Sequence, residues 1–523
     1  MAPNNFNEAA IPPAAAAAQC GSNEATDPAI PAHEQLVVGD GGHSALRLTR
    51  SPSLSESETS TLRNPTSLSQ IFTATATSLF TPERPVGKAP SVGRSLRNLL
   101  LQRENILLIC IPTTFVLRFA TETTSTTTST LFASAFLGLL PTARIFKVAM
   151  EDLTLRVSPH AGTFIRVFTG NIIELISGVI ALRQCQLEVL QASIVGSILI
   201  NILLVLGVAC ILGGIKFAGQ GYSTNHAHRT SHMLMLGTFA TLLFSYFFIF
   251  FKLSVLCTNW VRTDIFILAS LFGKSDIEET KISNLRISRG GAVLLLFCYF
   301  HFGVYQLYTH AFTFEDSSHS TGYPLQDFHH ENRHSAGQRA IPDLESGAEV
   351  EKESEPLMSI ILLLVASLGA CTLIYMLSDF LVSALSDITA HTPLKEGWVG
   401  LILIPLAGTF SRRDVFEAAA YSMKNKLNSS LALSLGSSVN ISLFIQPLLI
   451  LLAWMMNKNL TLLYDPFETL ALFLSVLFVN FTLLPGQSDW LSGFSLIAIY
   501  TLIAMSFWFY TSPRAFSSLI LAC

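Results

Sequence analysis

Glu174 stands out chemically because it lies inside an apolar run that starts at Gly170-Asn171-Ile172-Ile173-Glu174 and continues to Leu182. An ionisable side chain in a membrane-length apolar segment is costly, so it marks a functional site by default. Asn171 and Glu174 are three residues apart and share one face of a helix. Together they offer an amide oxygen and a carboxylate, hard ligands of the kind Ca²⁺ takes. Gly170 permits close backbone approach or local unwinding, which frees carbonyl oxygens as further ligands. The competing reading is a polar packing pair between two helices. Twenty-two residues after Glu174 come Gly196-Ser197, followed by Asn201. The second half repeats the layout: Asp414, then Gly436-Ser437-Ser438 after the same interval, with Asn440 close behind. A basic residue closes the first helix of each pair, Arg183 and Lys424. Each half thus reads as an acidic helix, a short turn, and a helix carrying Gly-Ser and a nearby Asn.

These residues need elements that hold them inside a bilayer, and the composition supplies them. The 523 residues are 50% hydrophobic and 13% charged, with a mean hydropathy of +0.49. A soluble domain carries roughly 25% charge, so a water-soluble enzyme of this size is excluded. The net charge of −4 leaves no basic excess for a nucleic-acid partner. No Ser/His/Asp set, phosphate loop or His-Glu-x-x-His motif is present. The eight cysteines show no zinc or redox spacing and read as small core residues.

Eleven apolar segments are long enough to cross, at about 20 residues each: 105–120, 131–150, 162–183, 190–213, 231–251, 290–310, 357–385, 397–422, 430–456, 466–484 and 490–511. The expected fold class is therefore all-α, a polytopic membrane protein of about eleven helices arranged 1 + 5 + 5. The two acidic helices cross in opposite directions by this count, the pattern of an inverted-topology repeat with a site at the midplane. Arg94, Arg97 and Arg103 precede the first segment and no Lys or Arg lies in 121–130, which puts the N-terminus in the cytosol. The connection 252–289 fits this topology badly and contains a short apolar run, Asp264–Phe272, read as an interfacial helix. The domain plan is a disordered cytosolic tail (1–104), a first transmembrane half (105–312) and an acidic, His-containing cytosolic linker (313–356). A second half (357–511) with a degenerate repeat and a short C-terminal tail (512–523) complete it.

The stretch Gly170–Gly214 (GNIIELISGVIAL, then QASIVGSILINILLVLGVACILGG) resembles the cation/proton exchanger family of the Ca²⁺/cation antiporter superfamily, fungal vacuolar Ca²⁺/H⁺ exchangers in particular. LSDFLV at Leu377–Val382, GLILIPL at Gly400–Leu406, MKNKL at Met423–Leu427, GSSVNISLFIQP at Gly436–Pro447 and FETLALFLSVLFVN at Phe467–Asn480 extend the likeness to about four-fifths of the chain. The resemblance implies exchange of cytosolic Ca²⁺ for luminal protons across a vacuolar, multi-pass membrane by alternating access. No resident cofactor is implied, since Ca²⁺ and H⁺ are cargo. It implies a metal site of Asn171, Glu174, Asp414, Ser197, Asn201, Ser437 and Asn440, and proton coupling through Glu174, Asp414 and Asp379. Ser438 lies beside this set, Asn440 replaces the family's glutamine, and Asp379 replaces a glutamate. Beyond the lipid bilayer, a homo-oligomer and cytosolic regulators of the N-terminal tail stand as open partner classes.

One departure bears on function. Where the family has Gly-Asn-Ala-Ala-Glu-His, this chain reads Gly408-Thr409-Phe410-Ser411-Arg412-Arg413-Asp414-Val415. Counted back from Met423, Asp414 takes the Glu position and Val415 the His position. Counted from Gly408, the region is two residues too long. Three readings stand: an erroneous or damaged copy, a bulge that turns Arg412 and Arg413 toward Asp414, Glu417 or the membrane edge, or a site that has lost Ca²⁺ exchange. Glu417 is the runner-up for the second acid. A transport-impaired or non-transporting regulatory homologue, and an exchanger using Na⁺ or another cation, are the alternatives to Ca²⁺/H⁺ exchange.

Overall fold

The computed structural model describes residues 90–100, 103–120, 124–260, 266–306, 322–324, 356–391 and 394–510. The expected N-terminal tail up to 89, nearly all of the acidic linker and the C-terminal tail lie outside these residues. The chain starts with α1 (Val92–Leu100), a 3₁₀ segment (Arg103–Ile109) and α2 (Cys110–Ala120). α1 falls within the expected disordered tail and corrects its boundary. Val92, Leu96 and Leu99 recur at helical spacing, and Ser95 N donates to Ser91 O at 3.0 Å.

The first half continues with α3 (Ser125–Thr154), α4 (Pro159–Gly170), α5 (Ile172–Arg183), α6 (Leu187–Leu199), a π-helical turn (Ile200–Val205) and α7 (Leu206–Lys216). α8 (Thr224–Trp260) and α9 (Phe266–Val304) follow. The second half holds α10 (Ile360–His391), α11 (Glu396–Trp398), a π turn (Val399–Leu403), α12 (Ile404–Arg412) and α13 (Asp414–Met423). It ends with α14 (Leu427–Asn440), a π turn (Ile441–Ile445), α15 (Gln446–Met455), α16 (Pro466–Thr482) and α17 (Trp490–Phe509).

Helix starts follow their local chemistry. Ser158 accepts from Ala161 N with Pro159 at the first helical position, and Asp465 accepts from Phe467 N at 2.9 Å ahead of Pro466. Asp489 caps α17 by accepting from the Ser492 N–H and hydroxyl, both at 2.7 Å. Those bonds hold its carboxyl below the usual range.

Each of the eleven expected spans overlaps helix. Among the described residues six helices are long and apolar enough to cross, and the bent pair α4/α5 makes a seventh. Asn105–Ala120 and Pro466–Thr482 are shorter apolar helices. The count of eleven is thus a count of segments, since length and apolarity alone select fewer. Much of the connection 252–289 is helical: α8 runs to Trp260, and α9 begins at Phe266, taking in most of the short apolar run 264–272.

The interior is formed by α6–α7 and α14–α15, the most buried of the long helices, one pair from each half. In a bilayer no hydrophobic force draws helices together, so close packing relies on small residues. Gly196 shows why. A Cβ there would collide with the Leu401 carbonyl, and one at Gly400 would come within 2.9 Å of Val189 O, so α6 and the Val399–Leu403 turn meet backbone to backbone. Gly436, the counterpart in the second half, has no described atom within 4 Å of such a Cβ. The repeats therefore pack asymmetrically.

A small antiparallel sheet adds to the helices. β1 (Phe217–Gly221) lies between β2 (Gly322–Pro324) and β3 (Gln487–Ser488), pairing Gln220 with Gly322 and with Ser488. It ties a piece of the acidic linker to the end of α7 and the approach to α17.

Candidate ion site at two helix breaks

The repeat expected from the sequence is regular in backbone detail at a constant offset of 240 residues. Cys185 and Asn425 both take a left-handed conformation, φ 61° and 59°. The following helices start at Leu187 and Leu427, and Gly196-Ser197 matches Gly436-Ser437. A π turn follows in each, at Ile200–Val205 and Ile441–Ile445. Only the helix break departs. α4 and α5 meet at Asn171 with a bend of 53°, while α12 and α13 meet at Arg413, which is left-handed at φ 61° and ψ 20°. α5 has 12 residues and α13 has 10. The two additional residues of 408–415 thus appear as a break displaced by two positions, with the helix beyond it in register.

Both breaks bring a helix N-terminus to the site. Glu174 lies in the first turn of α5, and Asp414 and Glu417 lie in the first turn of α13. The unpaired N–H groups and helix dipoles there favour negative charge. Between these carboxylates sits Arg412, only 4% exposed. Its Nη1 donates to Glu174 Oε1 and its Nε to Asp414 Oδ2, the latter at 2.8 Å. Lys147 on α3 closes the arrangement. Its Nζ donates to Glu417 Oε1 at 2.7 Å and to the Arg412 carbonyl at 2.8 Å, and lies 3.6 Å from Asp414 Oδ1. The Arg413 guanidinium instead lies over the Phe416 ring, 5.8 Å from its centre.

A second, uncharged group adjoins. Ser437 Oγ donates to Asn171 Oδ1 at 3.4 Å, and Asn201 Nδ2 donates to Ser437 Oγ at 3.3 Å. Ser434 donates to the Asn201 carbonyl at 2.5 Å. Ser197 lines a small cleft with Glu174, Ser177, Ser193, Pro405 and Gly408. Of the site's own buried polar atoms, Glu174 Oε2, Asn201 Oδ1 and Arg412 Nη2 have no hydrogen-bond partner among the described residues. Two of them are acceptors, the atoms an entering cation or proton requires.

Asn171, Glu174, Asn201, Ser437, Ser197 and Asp414 therefore gather around the two breaks. Two residues expected with them are placed elsewhere. Asn440 Oδ1 accepts from the Tyr299 hydroxyl at 2.8 Å, toward α9. Asp379 accepts from Gln184 Nε2 at 2.8 Å, just past the end of α5. Ten residues of helix separate Gln184 from Glu174, about 15 Å, so Asp379 stands apart from the breaks. Ser438 is satisfied within its helix by Ser434 O. Sequence reasoning passed over Lys147, although a lone lysine within an apolar span carries the same signal as Glu174. It also passed over Ser177, Ser193 and Ser434, which nothing in the sequence separates from other helical serines.

A predominantly helical polytopic membrane protein built from two repeats, with acidic residues at two central helix breaks, is the class these features define. The profile of the sodium/calcium exchanger protein family matches residues 128–308 and 362–509, and the chain belongs to that family. It is 32% identical to the vacuolar calcium ion transporter of Cryptococcus neoformans, covering 86% of this chain and 80% of that protein. It is 28% identical to the Ca²⁺/H⁺ antiporter of Synechocystis, covering 77% of this chain and 96% of that protein. Among solved structures, native YfkE aligns with a TM-score of 0.56 at 19% identity over 78% of this chain and all of that one. The H⁺/Ca²⁺ exchanger CAX aligns at 0.51 and 13% identity over 81% and 91% of the two chains. Both structural likenesses concern the fold.

Proposed function

We propose that this chain is a secondary active antiporter that moves Ca²⁺ from the cytosol into an acidic compartment in exchange for protons, in a vacuolar membrane with its N-terminus cytosolic. The observation that carries this reading is the buried carboxylate of Glu174 at a helix break, with Oε2 unpaired, together with the likewise unpaired side-chain amide oxygen of Asn201. Those oxygens and Asn171 suit a hard divalent cation, and the same carboxylate oxygen takes a proton. Ca²⁺ and H⁺ then exclude each other at one site, because each stabilises a form of the carboxyl group that the other cannot use. The unequal packing around Gly196 and Gly436, close against backbone at the first and open at the second, supports two repeats that are not locked in one symmetric arrangement, as alternating access requires. Names of relatives that state calcium transport and Ca²⁺/H⁺ antiport support the choice of ions.

A specific observation favours a second reading. Arg412 already pairs with both Glu174 and Asp414, which suits a homologue with impaired transport or a regulatory role. Uptake of ⁴⁵Ca²⁺ into vesicles with an imposed inside-acid gradient separates the two. Antiport gives uptake that a protonophore abolishes and that Glu174→Gln removes. Uptake driven equally by a sodium gradient at matched pH would reject proton coupling, and no flux in any condition would leave the regulatory reading.

A further inference from the structure

Arg412 reaches Asp414 only because the helix breaks between them. Side chains at i and i+2 of a continuous helix do not face each other. The left-handed Arg413 turns the chain so that they meet. Lys147, by binding the Arg412 carbonyl, holds the last turn of α12 in place. The guanidinium is thus directed into the site by its own backbone and not merely folded back from it. Charge accounting gives the consequence. Glu174 and Asp414 carry two negative charges, Arg412 returns one, and Lys147 and Glu417 offset each other.

We propose that Arg412 is a tethered cation that competes with the transported ion for Glu174 and Asp414 and so sets the affinity and charge selectivity of the site. With the guanidinium in place the site presents one net negative charge and admits a single positive charge. A divalent cation binds only after the guanidinium has left. A cation tethered two residues from its partner acts at an effective concentration of at least the millimolar order, so Ca²⁺ must displace a competitor that never diffuses away. The unpaired Arg412 Nη2 is consistent with a group held by charge without filling its full hydrogen-bonding capacity. This inference rests on the antiport reading for the identity of the ion, and its test separates the two.

Full-length protein and the variants Arg412→Gln, Arg412→Lys, Glu174→Gln/Arg412→Gln and Arg183→Gln are purified in detergent. Equilibrium ⁴⁵Ca²⁺ binding and the Ca²⁺-dependent shift in thermal unfolding are measured for each. Arg412→Gln is expected to bind Ca²⁺ at least tenfold more tightly than the unaltered chain, and the double variant to lose that gain. Arg183→Gln, which removes a positive charge at the far end of α5, is expected to bind as the unaltered chain does. Arg412→Lys keeps the charge but loses the two-pronged contact, and is expected to fall between. It carries the test if Arg412→Gln does not fold. Unchanged Ca²⁺ affinity in whichever of these Arg412 variants folds overturns the proposal. Tighter binding through Glu174 with no proton-driven uptake in vesicles would uphold the tethered cation and reject antiport. Proton-driven uptake with unchanged affinity would do the reverse.

Discussion

Removing the Glu174 carboxylate while keeping its shape, by Glu174→Gln, tests the energetic core of the site. The side chains of Glu174 and Arg412 are 11% and 4% exposed, so their attraction is weakly screened. Two charges about 4 Å apart at an effective dielectric of about 20 attract by roughly 4 kcal/mol. Breaking one partner of a buried pair costs about 3–5 kcal/mol because the other charge is stranded. Asp414 remains on the Nε of Arg412 and recovers part of this, which puts the expected loss at about 2–3 kcal/mol. Glu174→Gln/Arg412→Gln strands no charge across that pair and is expected to lie within about 1.5 kcal/mol of the unaltered chain, since replacing both partners is far cheaper than removing one. Arg412→Gln alone strands Glu174 and Asp414 together and is expected to cost about 3–5 kcal/mol, so the cycle should show a coupling of at least about 2 kcal/mol. Equilibrium unfolding in mixed micelles, followed by the fluorescence of the five tryptophans, measures all four corners. A coupling below about 0.5 kcal/mol, the ordinary limit of additivity, would refute the buried pair.

Three further outcomes follow from the packing. Gly196→Ala collides with the Leu401 backbone and is expected to destabilise by about 1–3 kcal/mol or more, whereas Gly436→Ala, with open space among the described residues, should be neutral or gain up to about 1 kcal/mol of helix propensity; melting temperatures of the pair decide. Arg413→Gly relieves a left-handed backbone and should stay within about 1 kcal/mol of the unaltered chain, while Arg413→Val should lose about 1–2 kcal/mol by the penalty of a left-handed branched residue, read in the same unfolding assay. Asp379→Asn is expected to leave proton-driven ⁴⁵Ca²⁺ uptake within twofold, because Asp379 binds Gln184 and not the residues at the breaks; abolished uptake would place it in the proton path.

The spans and the repeat were legible because the bilayer enforces apolar runs of fixed length and makes every internal charge conspicuous. Glu174, Asn171 and the Gly-Ser pairs could be read from that rule and from their spacing. Depth could not. Asp379 sits in an apolar span like Glu174, but its partner comes from the turn after α5, and nothing local reports that. Lys147 was visible as a charge, yet its partners lie 265 and 270 residues away, a separation no periodicity reveals. The continuation of α8 and α9 into 252–289 was hidden by basic residues, which a helix tolerates once it is long enough to project beyond the apolar layer. The π turns carry no sequence mark of their own. For the double arginine, spacing posed the question and only geometry could answer it, because one guanidinium points at the carboxylates and its neighbour over a ring.

The displaced break at Arg413 has a wider consequence. Two residues more than the family pattern leave the turn at Asn425, the start of α14 and the π turn after it where the first repeat would place them. The change is absorbed where the hydrogen-bond ladder is already open, so no continuous helix has to rotate. A helix break is in that sense an expansion joint: insertions there rewrite the charged groups presented at the break while the surrounding bundle is left undisturbed. Diversification of such a carrier can then proceed by length as well as by substitution, at the two points where the scaffold is least committed.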